Sequence, residues 1–238
     1  MIANENAPEG QDRRNFIEQG IQIALATTFM GVTMFGCKEK EEDEEKEVSP
    51  PEDLMQEHGV LNRILLIYDR CKMNLVAKQS FDAALLSNTA SIIRSFVEDY
   101  HEKQEENYLF PRFRKANELT ELVQVLKQQH DAGRAITDQI IQLSRAKSLG
   151  DAEVQKMIGL LTNFNVMYRP HEAREDTVLF PAFRKIVSQH EYDSLGEEFE
   201  RNEKKRFGED GFETMVSKVA EIEKQLGIYE LAQFTPKV

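Results

Sequence analysis

The sequence predicts an all-α protein, an up-down four-helix bundle with additional helices at its C-terminal end. Three observations lead to this prediction. Apolar residues recur at intervals of three and four positions through most of the chain after residue 52, which is the period of an amphipathic helix. A unit of roughly 70 residues occurs twice, and two helix pairs that each bury one apolar face combine into a four-helix bundle. No stretch shows the alternating pattern of a β-strand.

The repeat is clearest in two fifteen-residue segments that begin at His101 and His171. They read HEKQEENYLFPRFRK and HEAREDTVLFPAFRK, and nine aligned positions are identical. In each segment the histidine is followed four residues later by a glutamate, Glu105 in the first and Glu175 in the second. On a helix this spacing places both side chains on one face, one turn apart.

A further histidine precedes each segment. His58 lies 43 residues before His101, and His130 lies 41 residues before His171. Four of the five histidines therefore occupy equivalent places in the repeat. Histidines that only fill a hydrophobic core would not be expected to follow the repeat. We predict that these four histidines and the two glutamates share one chemical role, and that His190, which has no counterpart, lies at the surface.

The first half of the bundle is predicted to contain two helices. The first ends near Val76 and carries His58 in its apolar stripe. The second starts near Asp82, and Pro111 kinks or ends it because proline lacks a backbone donor. Asn117 is predicted to open the third helix.

The second half follows the same plan and is then extended. Gly150 is the predicted cap at the end of the third helix, and Asp151 is the predicted cap at the start of the fourth. Pro170 lies inside the fourth helix, directly before its histidine, and is predicted to bend it. Two further helices are predicted over residues 194–207 and 212–226.

Composition limits the number of domains and the class of partner. The chain has 238 residues, of which 40% are hydrophobic and 30% charged, enough for one main domain. We place this domain at 52–190 and a helical extension at 191–238. A net charge of −12 argues against nucleic acid as a partner. Residues 38–51 are predicted to be a spacer, because KEKEEDEEKE at its start cannot form a core.

Residues 1–37 are predicted to be an export signal rather than part of the fold. RRNFI at 13–17 resembles the twin-arginine motif, and the eighteen uncharged residues at 19–36 are a poor membrane span. MFGC at 34–37 resembles a lipobox, in which Cys37 is diacylated. We therefore expect an exported, periplasmic or cell-surface lipoprotein that touches the membrane only through its lipid anchor. An uncleaved anchor and an ordinary cleaved signal are the alternatives.

Four imidazoles and two carboxylates form a ligand set for iron, manganese or zinc rather than for calcium, which prefers oxygen alone. Six ligands exceed the needs of one tetrahedral zinc and suit two ions held between four helices. If Glu105 and Glu175 each bridge the ions with both oxygens, the protein fills roughly eight of twelve octahedral positions. The remaining positions suit a solvent-derived bridge and a small diatomic ligand or peroxide.

The order of these residues, with LFP after each glutamate, resembles the hemerythrin-like, or HHE cation-binding, family. The resemblance covers about residues 52–190, and the later FERNEKKRFG is also similar to members of that family. It implies an up-down four-helix bundle with two non-haem iron ions inside, manganese and zinc being weaker alternatives. The metal ligands that the resemblance implies are His58, His101, Glu105, His130, His171 and Glu175.

The chain departs from the oxygen-carrying members of that family at two places. Those proteins have a second histidine one turn after the third-helix histidine, where this chain has Arg134. Their last ligand is an aspartate five residues after its histidine, whereas here Glu175 comes at four and Asp176 at five. Loss of a histidine opens a coordination position and disfavours reversible oxygen carriage. Arg134 is a candidate to face that position.

Three functions remain open from the sequence. The first is a non-haem di-iron protein that binds or senses oxygen, nitric oxide or iron. The second is a di-iron oxidoreductase that acts on peroxide, oxygen or nitric oxide, and the third is a bundle without metal. The sequence identifies neither a catalytic residue nor a protein partner. Four carboxylates beside the predicted ligands either orient the imidazoles or belong to a solvated helix face; they are Glu102, Glu106, Glu172 and Asp176.

Overall fold

A computed structural model describes residues 48–79, 82–146 and 148–237. Within these ranges the regular structure is entirely helical and contains no strand, which confirms the predicted all-α class. The predicted export signal, with its lipidation site Cys37, and most of the predicted acidic spacer lie outside the described residues.

Helix α1, Pro50–Val76, begins as its sequence leads one to expect. Ser49 stands at the N-cap, where its backbone N–H and its hydroxyl both donate to the Glu52 carboxylate, at 3.1 and 2.7 Å. Proline is favourable in the first turn of a helix because the N–H that it lacks would have no partner there. The helix ends near Val76, as predicted.

Helix α2 is continuous but changes its hydrogen-bond pattern along its length. Asp82 caps its start by accepting a hydrogen bond from the backbone N–H of Ala84 at 2.9 Å. The helix does not end at Pro111, so that this part of the prediction is wrong, and it continues to Ala116. Its successive α-helical and π-helical segments are Ala83–Ile92 (α), Ile93–His101 (π), Glu102–Gln104 (α), Glu105–Leu109 (π) and Phe110–Ala116 (α).

Helix α3, Thr120–Ser144, starts three residues later than predicted. Asn117 does not open it but ends α2, in the left-handed conformation with φ of 54°. Asparagine tolerates this conformation better than most residues and commonly terminates helices. Leu119 also has a positive φ, of 47°, so the chain reverses direction between these two residues.

Helix α4 comprises Asp151–Arg174, a π-helical segment Glu175–Leu179 and a final α-helical segment Phe180–Ile186. Pro170 lies inside it, as predicted. The prediction for Gly150 is wrong, because this glycine is the N-cap of α4 rather than the end of α3. Its φ of −74° is ordinary, and its N–H donates to Glu153 at 2.8 Å.

Two helices follow the bundle, close to their predicted positions. They are α5, Gln189–Phe207, and α6, Gly211–Gln225, and a short 3₁₀ turn follows at Leu231–Phe234. The four helices α1 to α4 pack each against the next, and α4 packs against α1, which is the arrangement of an up-down bundle. Helix α5 covers α1, and α6 covers α1 and the start of α2.

The apolar core is divided into two clusters. The larger contains residues such as Ile64, Phe96 and Phe164, and the smaller contains residues such as Phe110 and Phe183. Along each of the four bundle helices, the predicted ligands fall between members of the two clusters. A polar layer therefore crosses the bundle, with an apolar layer on each side. None of the helices described here is long and apolar enough to cross a membrane.

Cys71 lies in the larger cluster with no exposed surface, and burial raises the pKa of its thiol to about 12. The thiolate is the reactive form. We therefore expect a Cys37→Ser variant to react negligibly with a disulfide reagent at pH 8 while folded, and to react stoichiometrically in guanidinium chloride. Absorbance of the released thiol measures both, and fast reaction of the folded protein would contradict this placement of α1.

Candidate metal centre

The six predicted ligands come together in the polar layer of the bundle. α1 and α3 each contribute one histidine, and α2 and α4 each contribute a histidine and a glutamate. All six side chains are buried, with at most 3% of their surface exposed. Their donor atoms form two groups, each within 4.8 Å. The groups are His58, His101, Glu105 and Glu175, and Glu105, His130, His171 and Glu175.

Glu105 and Glu175 belong to both groups, whereas each histidine belongs to one. Oε2 of Glu175 lies 3.3 Å from His58 Nε2 and 3.2 Å from His171 Nε2. Oε2 of Glu105 lies 3.4 Å from His130 Nε2. The two carboxylates thus lie between two pairs of imidazoles, which is the arrangement of a pair of metal ions with shared carboxylate ligands.

The donor atoms fit such a pair of ions. Nε2 of His58 and all four carboxylate oxygens of Glu105 and Glu175 are buried and have no hydrogen-bond partner among the described residues. Buried carboxylates are costly unless they are paired or coordinate a metal. Ligands that occupy neighbouring positions on an ion at about 2.1 Å are about 3.0 to 3.4 Å apart. The three carboxylate–imidazole distances given above agree with this range, and the fourth, from His101 Nε2 to Oε2 of Glu105, is longer at 3.8 Å. The layer therefore has the composition and spacing of a binuclear cation site.

Both glutamates begin π-helical segments, a feature that the sequence analysis missed. The backbone N–H of Phe110 donates to the carbonyl of Glu105, five residues earlier, and Phe180 repeats this with Glu175. A proline follows each phenylalanine. Since proline cannot donate the next α-helical hydrogen bond, a wider turn directly before it is a local solution. The repeated LFP motif was the available signal for this irregularity.

Each of the four histidines is oriented by a hydrogen bond on the ring nitrogen that faces away from the centre. A carboxylate or amide oxygen accepts from Nδ1–H, which leaves the lone pair of Nε2 for a metal. The pairs are His58 with Asp176 at 2.7 Å, His101 with Glu57 at 2.7 Å, His130 with Glu106 at 3.1 Å and His171 with Gln129 at 2.9 Å.

These partners follow the sequence repeat. Glu57 and Gln129 directly precede the lone histidines, and Glu106 and Asp176 directly follow the two shared glutamates. Glu106 and Asp176 were predicted from the sequence as candidate orienting groups, whereas Glu57 and Gln129 were not. The signal that could have identified Glu57 and Gln129 is that each lies directly before a predicted ligand, at the same place in both copies of the repeat.

The other two carboxylates beside the ligands behave differently. Glu102 and Glu172 are buried, so that a solvated helix face is the wrong interpretation for them. Neither accepts from an imidazole N–H. Glu102 accepts from the Tyr168 hydroxyl at 2.6 Å, and Glu172 accepts from the side-chain amide of Asn62.

Aromatic rings close the layer from the side of the smaller cluster. Phe180 stacks on His58 with ring centroids 5.6 Å apart, and Phe110 stacks on His130 at 5.5 Å. Each phenylalanine comes from the LFP motif of the opposite repeat. The LFP motif therefore holds an imidazole ring in place in addition to shaping a helix turn. It also excludes water from the polar layer on the side of the smaller cluster.

Arg134 contacts carboxylates that surround the ligands. Its guanidinium lies 2.6 Å from Oε2 of Glu102 and 2.7 Å from Oε1 of Glu106. Glu106 is the acceptor for His130. The charge of Arg134 thus stabilises the buried carboxylate of Glu102 and the partly buried carboxylate of Glu106, which surround the candidate ligands. His190 is exposed, as predicted, and takes no part.

The electrostatics of the layer suit exchange of protons for cations. Burial acts to lower the pKa of His58, but the hydrogen bond to Asp176 and the nearby charge of Glu175 raise it to about 10. Burial lowers the pKa of His130 to about 4 and, with the charge of Glu175, raises the pKa of Glu105 well above its ordinary value. For Glu175 burial acts to raise the pKa, but the adjacent imidazoles lower it. A divalent cation competes with protons at such a centre.

Comparison with known proteins yields one family. The family described as hemerythrin HHE cation binding domain matches residues 49–183. Uncharacterized proteins from Mycobacterium bovis and from two strains of Mycobacterium tuberculosis are each 47% identical over 195 residues, which is 82% of this chain and 76% of the relative. No solved structure gives a significant match to the chain.

The two groups of donor atoms predict different effects of removing a shared and an unshared ligand. We expect Glu105→Gln to lose most of both ions, because Glu105 belongs to both groups, and His58→Ala to weaken mainly one. Metal analysis of the purified, reconstituted variants measures the stoichiometry. His190→Ala is the matched control and should keep the full metal content. Equal losses from Glu105→Gln and His58→Ala would contradict the shared position.

The orienting hydrogen bonds predict a separate effect on affinity. Asp176→Ala removes the acceptor of His58 Nδ1–H, and loss of such a partner typically weakens metal binding by about 10- to 100-fold. A competition titration with a chromogenic chelator measures this change. Asp193→Ala removes a carboxylate from the exposed face of α5 and should leave the affinity unchanged.

Proposed function

The chain belongs to the hemerythrin HHE cation-binding domain family, and from this premise we propose that it is a non-haem di-iron protein that binds or senses oxygen, nitric oxide or iron. The observation that carries the proposal is the pair of donor groups that share Glu105 and Glu175. One group accounts for one ion, and two groups joined by two carboxylates account for a pair.

The donor chemistry favours iron among the candidate metals. Each group offers two imidazole nitrogens and two carboxylates, a mixed set that suits iron and leaves octahedral positions open. The set lacks the thiolates that favour zinc or copper(I). When bound, a pair of iron ions with open positions supplies redox chemistry and a binding place for a diatomic molecule or peroxide. Manganese and zinc are the weaker alternatives.

The residues of the chain orient the candidate ligands and exclude bulk water from the polar layer. The four Nδ1 hydrogen bonds hold the imidazoles in one tautomer and orientation. The two apolar clusters exclude bulk water from above and below the polar layer. A small ligand that reaches the layer is therefore in a low-dielectric environment, where fixed charges and dipoles act strongly.

A second function, reduction of peroxide or oxygen, is favoured by one specific observation. The Tyr168 hydroxyl donates to Glu102, and Glu102 also pairs with Arg134. The Tyr168 ring lies with its centroid 5.4 Å from that of His171. This places a hydroxyl, a carboxylate and a guanidinium beside the centre, where turnover would need proton-carrying groups. Stable oxygen carriage does not need them.

The cellular location belongs to the same proposal. A twin-arginine signal at 13–17 and a lipidated Cys37 would place the protein outside the cytoplasmic membrane, held there by its lipid. Export of folded proteins suits a metalloprotein that is loaded before it crosses. Radiolabelled-fatty-acid incorporation into the full chain, compared with Cys37→Ser, tests the lipid anchor.

Iron analysis combined with rapid mixing tests the proposed function. We expect about two iron ions per chain after anaerobic reconstitution, as the two donor groups require. On mixing with oxygen, nitric oxide or peroxide in a stopped-flow spectrometer, the iron protein should develop a charge-transfer band. Glu105→Gln is the matched control and should give none.

The same experiment separates the two functions. A band that forms and disappears reversibly with ligand concentration supports binding or sensing. Many turnovers of peroxide per centre support the oxidoreductase instead. Iron content far below two per chain under all reconstitution conditions would exclude both.

A further inference from the structure

A polar cleft outside the metal layer is the feature that the proposed function leaves unused. It lies between the second helix of the bundle and α5 and has a volume of about 380 Å³. Small-molecule sites typically have volumes of about 300 to 1,000 Å³. None of the six candidate metal ligands lines it. Its lining includes Lys103, Gln104, Tyr108, Lys205 and Arg206.

The charge at the cleft is opposite to that of the chain. Three cations line it, Lys103, Lys205 and Arg206, against the single carboxylate of Asp99, whereas the whole protein carries a net charge of −12. Asp99 lies 3.5 Å from Arg206, and Lys103 pairs at 2.6 Å with Glu106. A local excess of cations on an acidic protein attracts anions and steers them to one place.

Lys205 is a cation of the cleft that takes part in no ion pair among the described residues. Its side chain is exposed. Its neighbour Lys204, in contrast, lies 3.3 Å from both Glu200 and Glu209. The ammonium group of Lys205 is thus available to a ligand.

The buried side-chain amide of Gln104 is a second feature of the cleft. Only 2% of its surface is exposed, and neither atom of its side-chain amide has a hydrogen-bond partner among the residues that the structure describes. Most buried polar groups in proteins are paired, because an unmet donor or acceptor costs free energy. A glutamine amide can donate two hydrogen bonds and accept others. Gln104 lines the cleft, so that its amide is an unused donor and acceptor beside any ligand that the cleft holds.

Two further side chains that line the cleft, Tyr108 and Asn202, are held by hydrogen bonds. The side-chain amide of Asn202 donates to the Tyr108 hydroxyl at 3.3 Å, and that hydroxyl donates to Glu198 at 3.2 Å. The Tyr108 ring packs against Phe199 with centroids 5.5 Å apart. A ligand would meet a fixed aromatic ring and fixed amides rather than a mobile surface, which lowers the entropic cost of binding.

We propose that this cleft binds a small organic or inorganic anion with two or more oxyanion groups, held by Lys205 and Arg206 and by the amide of Gln104. Carboxylates and phosphates share this chemistry, since both accept charge-assisted hydrogen bonds from lysine and arginine. The volume suits a molecule larger than a single phosphate. None of Lys205, Arg206 and Gln104 is among the six candidate metal ligands.

Calorimetric titration of the full chain with citrate and with pyrophosphate tests the proposal and distinguishes the two sources of oxyanion. We expect saturable binding of at least one of them at physiological ionic strength. The double substitution Lys205→Gln with Arg206→Gln should weaken it by at least 10-fold. Lys218→Gln with Lys224→Gln removes the same charge from α6 and is the matched control. Absence of saturable binding of both anions, or equal weakening in the control, would overturn the site.

Gln104→Leu examines the buried amide directly. We expect the melting temperature without anion to rise, because an unpaired amide is removed, and the anion affinity to fall several-fold. The melting temperature also shows that the variant is folded. Unchanged affinity in this variant would overturn the assignment of Gln104 to the site.

Discussion

The burial of two carboxylates that have no hydrogen-bond partner in the described part of the chain is the constraint on which the rest of this structure depends. Glu105 and Glu175 lie fully buried in the centre of a helical bundle, and Oε2 of each lies within 3.8 Å of Nε2 of two imidazoles. In an apolar interior such a group is strongly unfavourable unless a cation compensates its charge. The fold therefore makes sense as a scaffold for cations, and the apolar layers, the π-helical turns and the outer hydrogen bonds all serve to keep this polar layer in place.

The centre is built by an approximate two-fold repeat, but its two halves are not equivalent. Both imidazoles of the group that contains His58 donate to carboxylates, from Asp176 and Glu57. In the other group His171 donates a hydrogen bond to the neutral amide of Gln129. His130 donates to Glu106, whose negative charge is compensated by its ion pair with Arg134. A carboxylate that accepts a hydrogen bond from Nδ1–H raises the basicity of the imidazole, so that its Nε2 gives more electron density to a bound metal ion. One metal position is thus expected to be more electron-rich than the other, a difference that suits a centre with two ions in unlike roles.

The residue at position 134 shows how one substitution changes the surroundings of a site without touching its ligands. Asn62 holds the equivalent place in the first repeat and donates to Glu172, whereas Arg134 pairs with Glu102 and Glu106. The larger, charged side chain thus compensates the charge of the buried Glu102 and of the partly buried Glu106 beside the centre. Gly133 directly precedes it, and a Cβ at that glycine would lie 2.1 Å from the Tyr168 hydroxyl. The close approach of Tyr168 to this side of the bundle therefore requires glycine.

The sequence by itself determined the helical class, the order of the six helices and the set of six candidate ligands. It did so because helical periodicity and an internal repeat are local signals, and because His and Glu recur at equivalent places in both copies. Helix ends were less well predicted: Asn117, Gly150 and Pro111 each carry a turn signal that suits more than one position. Only the tertiary structure decided which carboxylates orient imidazoles, that Arg134 pairs with Glu102 and Glu106, and that the amide of Gln104 finds no partner among the described residues beside a cationic cleft. These depend on which helix faces meet across the bundle, and contacts between residues 24 to 118 positions apart are not encoded in any local pattern.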